Sequence, residues 1–191
     1  TMLNANSIRV GNIIDFKNKL CVVNKTMHTM PGKGGAFVQM ELKDIVTGTK
    51  YNERFRSEDK VDKVRLDERD MQFLYEDGDN LNFMDNESYE TISLAKDYLS
   101  KDHLAFLTEG LIVRAQVHDD KVLSISIPDQ LAATIDTTEA VVRGQTSASS
   151  NKPAILTNGI RVMVPPFINN GETINIKTDT LTYVERAKQD E

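Results

Sequence analysis

The sequence predicts an all-β protein built as three small barrels, and three observations carry that prediction. Apolar and polar residues alternate with period two through most of the chain, the spacing of a half-buried strand. Turn signals recur at short intervals, and Asp77-Gly78-Asp79 between two alternating runs is a strong hairpin signature. No long stripe of helical period is present.

The elements follow in order. Asn12–Phe16 reads as a strand, Lys17-Asn18-Lys19 as a turn and Leu20–Lys25 as the returning strand. Ala36–Leu42 alternates again, Val46–Thr49 turns, and Tyr51–Arg56 closes a first unit of about five strands, SH3-like in size. A second run places strands at Met71–Tyr75, Leu81–Met84, Leu111–Val117 and Val122–Ile127, with one short helix expected near Ser93–Ser100. Pro128 cannot donate to a ladder, so it is expected to end this unit and begin a linker. The last third carries strands near Leu131–Asp136, Ile160–Val164, Thr173–Lys177 and Thr182–Arg186, with a small, polar stretch, Gly144–Asn151, reading as an exposed loop. Two successive five-strand barrels of about 60 residues suggest OB-type folds, a class that binds polynucleotides. The expected domains are 1–65, 66–128 and 129–191.

Length and composition fit this reading. A chain of 191 residues with 39% apolar and 27% charged residues can bury a real core. The N-terminal stretch TMLNANSIRVGN lacks a basic start followed by an apolar core, so no secretory signal is expected, and no apolar run is long enough to span a bilayer. Cys21 is the single cysteine and lies in the apolar run Leu20–Val23, which excludes an intrachain disulfide and fits a reducing cytoplasm.

The net charge of −6 conceals an uneven distribution. Residues 1–65 carry 12 basic against 7 acidic side chains, residues 66–128 carry 5 against 14, and residues 129–191 carry 6 against 8. An anionic partner would meet the first segment favourably and be repelled by the second. Within the first segment Lys25, Lys43, Lys50, Arg54 and Arg56 are candidate phosphate contacts, each also readable as ordinary solvated charge.

The most informative segment is Met30-Pro31-Gly32-Lys33-Gly34-Gly35-Ala36, which joins two alternating arms and so reads as the tip of a β-hairpin. Three glycines strip side chains from around one lysine and leave its ammonium alone at the end. With arms of about seven residues at ~3.3 Å each, the tip would stand ~23 Å beyond its base and could enter a narrow RNA-walled channel. Taken alone, the string reads more readily as a solvated turn with an incidental lysine. A phosphate-binding glycine loop is disfavoured, because the GxxxxGK[ST] spacing is absent and a strand follows.

The C-terminal third shifts that balance. Lys152-Pro153-Ala154 is followed by Gly159, Val162, Val164-Pro165, Ile168 and Gly171. Together with the hairpin, Thr47-Gly48-Thr49, Leu74-Tyr75-Glu76-Asp77-Gly78, Phe83–Glu87 and Tyr183-Val184, this pattern closely resembles the bacterial elongation factor P family over nearly the whole chain. The resemblance implies an SH3-like (KOW-type) first domain and two OB-fold barrels in an elongated, tRNA-like arrangement. It implies a cytoplasmic, monomeric translation factor that binds both ribosomal subunits and peptidyl-tRNA between the peptidyl and exit sites and promotes peptide bonds at consecutive prolines. The matching hairpin lysine is Lys33, framed by Pro31, Gly32, Gly34 and Gly35, and relatives with this tip often carry an extension on its ε-amine, such as β-lysylation by a modifying enzyme. The loop Arg143-Gly144-Gln145-Thr146 corresponds to the family's small-subunit contact, with Gln145 where an acidic residue is usual. Tyr183 and Arg186 match positions near the anticodon stem of peptidyl-tRNA.

Competing readings find less support. His28, His103 and His118 are scattered, none at metal-ligand spacing from another histidine or Cys21, and no nucleophile elbow or dinucleotide turn appears, so neither enzyme nor metal nor cofactor is expected. A generic OB-fold single-strand binder needs stacking platforms and a basic groove, whereas tryptophan is absent, aromatics are 6% and the second segment is acidic. A paralogue serving other stall motifs would be expected to differ at the hairpin tip.

Overall fold

The computed structural model describes residues 1–30, 35–141 and 150–188. Its described residues group into two compact units, Thr1–Arg69 with Ala115–Ser124 and Asp70–Arg114 with Ile125–Glu191. Strands dominate, and they form three antiparallel sheets.

The first sheet holds β1 (Met2–Asn4), β2 (Ile13–Phe16), β3 (Lys19–Thr29), β4 (Phe37–Asp44), β5 (Lys50–Arg56) and β6 (Lys60–Val64), ordered β1-β6-β2-β3-β4-β5. It has six strands rather than about five, because Met2–Asn4 and Lys60–Val64 pair with each other at the start and end of the segment. Alternation places Ile14, Phe16, Cys21, Val23, Val38, Met40, Leu42 and Val61 in one core, with Ala5 and Ile8 from the segment after β1. Each large side chain so buried contributes about 1.5–3 kcal/mol. Burial holds the Cys21 thiol above its ordinary pKa, so it behaves as a small hydrophobe. Phe16 packs against Tyr51 and Phe55, with ring centroids 6.0 and 6.3 Å apart.

The second sheet holds β7 (Asp67–Asp77), β8 (Asn80–Asp85), β9 (Thr91–Ala95), β10 (Ile112–His118) and β11 (Lys121–Ser126) in the order β11-β10-β7-β8-β9. The third holds β12 (Gln130–Thr138), β13 (Lys152–Leu156), β14 (Arg161–Val164), β15 (Thr173–Lys177) and β16 (Thr182–Arg186) in the order β14-β13-β12-β15-β16. The two sheets share one connectivity. In each the first strand lies in the centre, flanked by the second and fourth, with the third and fifth at the edges. That is the strand order of a partly open five-stranded Greek-key barrel. In the third sheet the edge strands β14 and β16 come into contact, so the sheet curls towards closure.

Of the helix expected near Ser93–Ser100, a single 3-10 turn forms at Lys96–Tyr98, where the Leu99 N–H donates to the Lys96 carbonyl at 3.2 Å. Ser93 lies in β9, whose Ile92 and Leu94 alternate with exposed residues and whose register runs Asn80↔Ala95 to Met84↔Thr91 against β8. The helix, α1 (Lys101–Leu104), starts where the expected one was to end, because the Ser100 hydroxyl caps it by accepting from the His103 N–H at 3.2 Å. The His103 ring Nε2 then lies 2.8 Å from the Thr178 carbonyl, and the buried Thr178 hydroxyl donates to the Pro128 carbonyl at 2.7 Å. Pro128 lies between strands, as its missing N–H requires.

Candidate functional site

The register of the first sheet decides what the candidate cations can do together. Cross-strand partners share a face in an antiparallel pair. β4 meets β5 at Lys43↔Lys50, Glu41↔Asn52, Gln39↔Arg54 and Phe37↔Arg56, and it meets β3 at Lys25↔Glu41, Met27↔Gln39 and Thr29↔Phe37. The residues between them on β4, Val38, Met40 and Leu42, are fully buried. The other face is therefore the solvent face, and it carries Lys25, Lys43, Lys50, Arg54 and Arg56. All five cations taken from the sequence share one surface.

That surface is not uniformly positive. Glu41 sits in its middle, 4.0 Å from the Lys25 Nζ and 3.9 Å from the Lys50 Nζ. A shallow groove lined by Val10, Lys25, Met27, Gln39, Glu41 and Asn52 runs across it. Arg54 does not hang free: its guanidinium carbon stands 3.8 Å from the centre of the Phe37 ring. Lys19, which the sequence did not single out, donates to the Tyr51 hydroxyl at 2.8 Å, and this bond holds its pKa above the ordinary lysine value.

The hairpin root is thicker than the sequence suggests. β5 runs beside β4 as far as Phe37↔Arg56, and the Ser57 N–H donates to the Ala36 carbonyl at 2.9 Å, so the ribbon is three-stranded rather than two-stranded up to that point. The projected reach of ~23 Å assumed bare arms along their whole length and does not hold for this register. Beyond the root, Met30 is 87% exposed, and a Cβ added at Gly35 would meet nothing within 4 Å. Pro31, Gly32, Lys33 and Gly34 lie outside the described residues, as do Arg143, Gly144, Gln145 and Thr146. Of the predicted exposed loop, Ser150 and Asn151 are described, and both are exposed.

The base of the turn opposite the tip is tightly fixed. Asp44 is buried, and its Oδ1 accepts from the N–H groups of Val46 and Thr47 at 2.8 and 3.1 Å. In the third sheet a bulge between Asn175 and Ile176, relative to β16, pairs Tyr183 with Ile176 and Arg186 with Ile174. Residues three apart in a strand would face opposite ways; the bulge puts both on one face. Tyr183 is half-buried, while Arg186 is engaged with its own domain. Its Nε is 3.2 Å from Glu172, it donates to the Phe167 carbonyl at 3.2 Å, and it lies over the Phe167 ring.

Family models match each sheet in turn. Residues 4–61 match the elongation factor P KOW-like domain, 66–125 the elongation factor P OB domain, and 132–186 the elongation factor P C-terminal domain. Over 185 residues the chain is 51% identical to an elongation factor P of Parvibaculum lavamentivorans, across 97% of this chain and 98% of that relative. The chain belongs to the elongation factor P family. An elongation factor P of Bartonella bacilliformis is 49% identical over 187 residues, covering 98% of both chains. Among solved structures, a eukaryotic translation initiation factor 5A from Methanococcus jannaschii is similar in fold, with a TM-score of 0.54 and 23% identity over 65% of this chain and 95% of that one. The Arg54–Phe37 stack and the Lys19–Tyr51 bond leave no signal in the sequence, because each joins residues whose adjacency depends on register. Among the described residues no group of three or more His, Cys, Asp or Glu side chains is placed to hold a metal, and no helix is long and apolar enough to cross a membrane.

Proposed function

We propose that this chain is a translation elongation factor of the ribosome, acting by position rather than by covalent chemistry. In this reading it binds in the cytoplasm as a monomer between the peptidyl and exit sites, touching both subunits and peptidyl-tRNA. There it speeds peptide-bond formation at consecutive prolines. Its three domains are 1–65, 66–128 and 129–191, one per sheet.

The observation that carries the reading is the shared solvent face of β3, β4 and β5, with five cations leading along the ribbon toward the Lys33 segment. Phosphate backbones dominate such binding, so a cationic ribbon suits the acceptor arm of a tRNA. Proline is a slow nucleophile in peptide transfer, and holding the reacting ester in a productive geometry supplies orientation worth several kcal/mol without acid-base chemistry. The Lys33 side chain would reach the tRNA backbone, and an extension on its amine would carry the contact further along the tRNA end. Arg143, Gly144 and Thr146 would face the small subunit, and Tyr183 and Arg186 the peptidyl-tRNA, with Arg186 doing so from a geometry already braced by Glu172.

The deciding experiment is translation of a template with consecutive proline codons in a purified system. Lys33→Ala should fold normally and lose rescue. A Lys33→Ala chain that still relieves the stall would end this assignment. Lys33→Arg keeps the charge but not the amine that a modifying enzyme needs. Tight, salt-sensitive binding to plain single-stranded DNA would instead favour a generic single-strand binder.

A further inference from the structure

The turn that fixes the hairpin base is built a second time in the chain, with the same hydrogen bonds but a different residue at the fifth position. Asp44–Thr49 joins β4 to β5, and Asp85–Glu90 joins β8 to β9. In each, the aspartate N–H donates to the carbonyl of the sixth residue at 2.8 Å, and the fifth residue's N–H returns to the aspartate carbonyl at 2.9 Å. In each, the buried carboxylate accepts from the third and fourth residues, at 2.8 and 3.1 Å in the first turn and 2.8 and 3.2 Å in the second. In each, a hydroxyl at the fourth position, Thr47 or Ser88, accepts from the sixth N–H at 3.3 Å.

This scaffold forces the fifth residue into the left-handed region. Gly48 takes it at φ 74°, where the absence of a Cβ removes the penalty. The second copy has Tyr89 there, at φ 62°. A bulky side chain in that conformation is strained, and strain of this kind persists where a site uses it. The fold makes no use of the ring. Tyr89 is 72% exposed, and among the described residues its side chain has no hydrogen bond or ring partner. The chain thus holds an aromatic out to solvent at a position where its own sister turn carries glycine.

The surroundings say what the ring could meet. Glu87 and Glu90 flank it and are exposed, and residues 66–128 carry 14 acidic against 5 basic side chains. Phosphates would be repelled. A guanidinium or ammonium would be drawn in, stacking on the tyrosine face while pairing with a flanking carboxylate. We infer that Tyr89, with Glu87 and Glu90, is the anchor of a docking surface for an arginine- or lysine-rich protein. Resting on the function proposed above, that protein is a component of the ribosome.

Tyr89→Gly copies the sister turn, so it removes the ring without disturbing the scaffold. Urea unfolding should give a midpoint equal to or above that of the parent chain. Binding to purified 70S ribosomes should weaken by about fivefold or more, as for loss of an interface anchor. Glu87→Lys with Glu90→Lys should weaken it as well. A benzoylphenylalanine at position 89, photolysed on ribosomes, should give an adduct cut by protease and not by nuclease. Equal ribosome affinity of Tyr89→Gly and parent, or an adduct on ribosomal RNA, would overturn the surface while leaving the Lys33 role standing. A parent chain that fails to bind ribosomes at all overturns both.

Discussion

Arg54 on β5 lays its guanidinium over the ring of Phe37 on β4, 3.8 Å from the ring centre, although Phe37 lies directly opposite Arg56 and Arg54 opposite Gln39. The contact is a diagonal across the root of the hairpin, joining the first residue of β4 to the third strand that backs it.

The stack makes Arg54 a brace as well as a charge. Arg54→Ala should lower stability by about 0.5–1 kcal/mol, the scale of a cation–π pair at a solvent-facing position. Arg54→Lys should recover only part of it, because an ammonium lacks the flat face that stacks. Urea unfolding of the parent and both variants measures the difference, and equal midpoints for Arg54→Ala and parent would show the contact to be idle.

Asp44 should give the first domain an acid-sensitive contribution. Burial pushes its carboxyl up, but the N–H groups of Thr47 and Val46 outweigh that, so the folded pKa lies below the ordinary carboxylate value. Folding therefore favours the charged form. The stabilisation is complete above the unfolded value of about 3.9 and is lost as pH falls through the lower folded value. Asp44→Ala should cost about 1–3 kcal/mol at neutral pH, because two N–H groups lose their acceptor. Stability measured from pH 6 down to pH 2 should fall less steeply for Asp44→Asn than for the parent.

Alternation made most strands legible, and β4 is the clearest case: Val38, Met40, Leu42 and Asp44 are buried while Gln39 and Lys43 are exposed. What failed did so for local reasons. Ser93–Ser100 reads as helix when taken as a block, yet its first residues alternate and pair with β8, its middle makes only a 3-10 turn at Lys96–Tyr98, and Ser100 caps the helix that follows. β13 is masked by Pro153, a residue that argues against a central strand. The structure accommodates it because the ladder to β12 reaches only Ala154, and the Thr138 hydroxyl bonds the Pro153 carbonyl instead. The cations of the candidate site were legible as residue types. Their common face was half legible, since Lys50, Arg54 and Arg56 share parity along β5, but Lys25 and Lys43 join them only through a register that no local pattern encodes.

Lys152 should matter for stability out of proportion to a surface cation. It is 6% exposed, and its Nζ donates to the Glu139 carbonyl, so residues on either side of 142–149 are tied together. Lys152→Met keeps the stem and removes the ammonium. The loss should be about 1.5–3 kcal/mol, typical of a hydrogen bond from a charged group, and it should appear in the unfolding midpoint. Amide exchange at Ala140 and Val141 should quicken in the same variant; unchanged exchange would mean that the bond does not hold this segment.

Glu41 offers a test whose sign separates an RNA-facing ribbon from a merely solvated one. It stands between Lys25 and Lys50 at the limit of ion-pair distance, and exposed pairs of that kind add little stability. Glu41→Gln should leave the unfolding midpoint nearly unchanged. If the β3-β4-β5 face meets phosphates, removing the central negative charge frees both lysines and tightens ribosome binding. Lys43→Glu and Arg56→Glu should loosen it, each flattening the slope of log affinity against log salt by about one contact. Were the face only solvated surface, Glu41→Gln and Lys43→Glu would bind alike at every salt concentration, and Lys33 would have to reach its target without help from the strands that carry it.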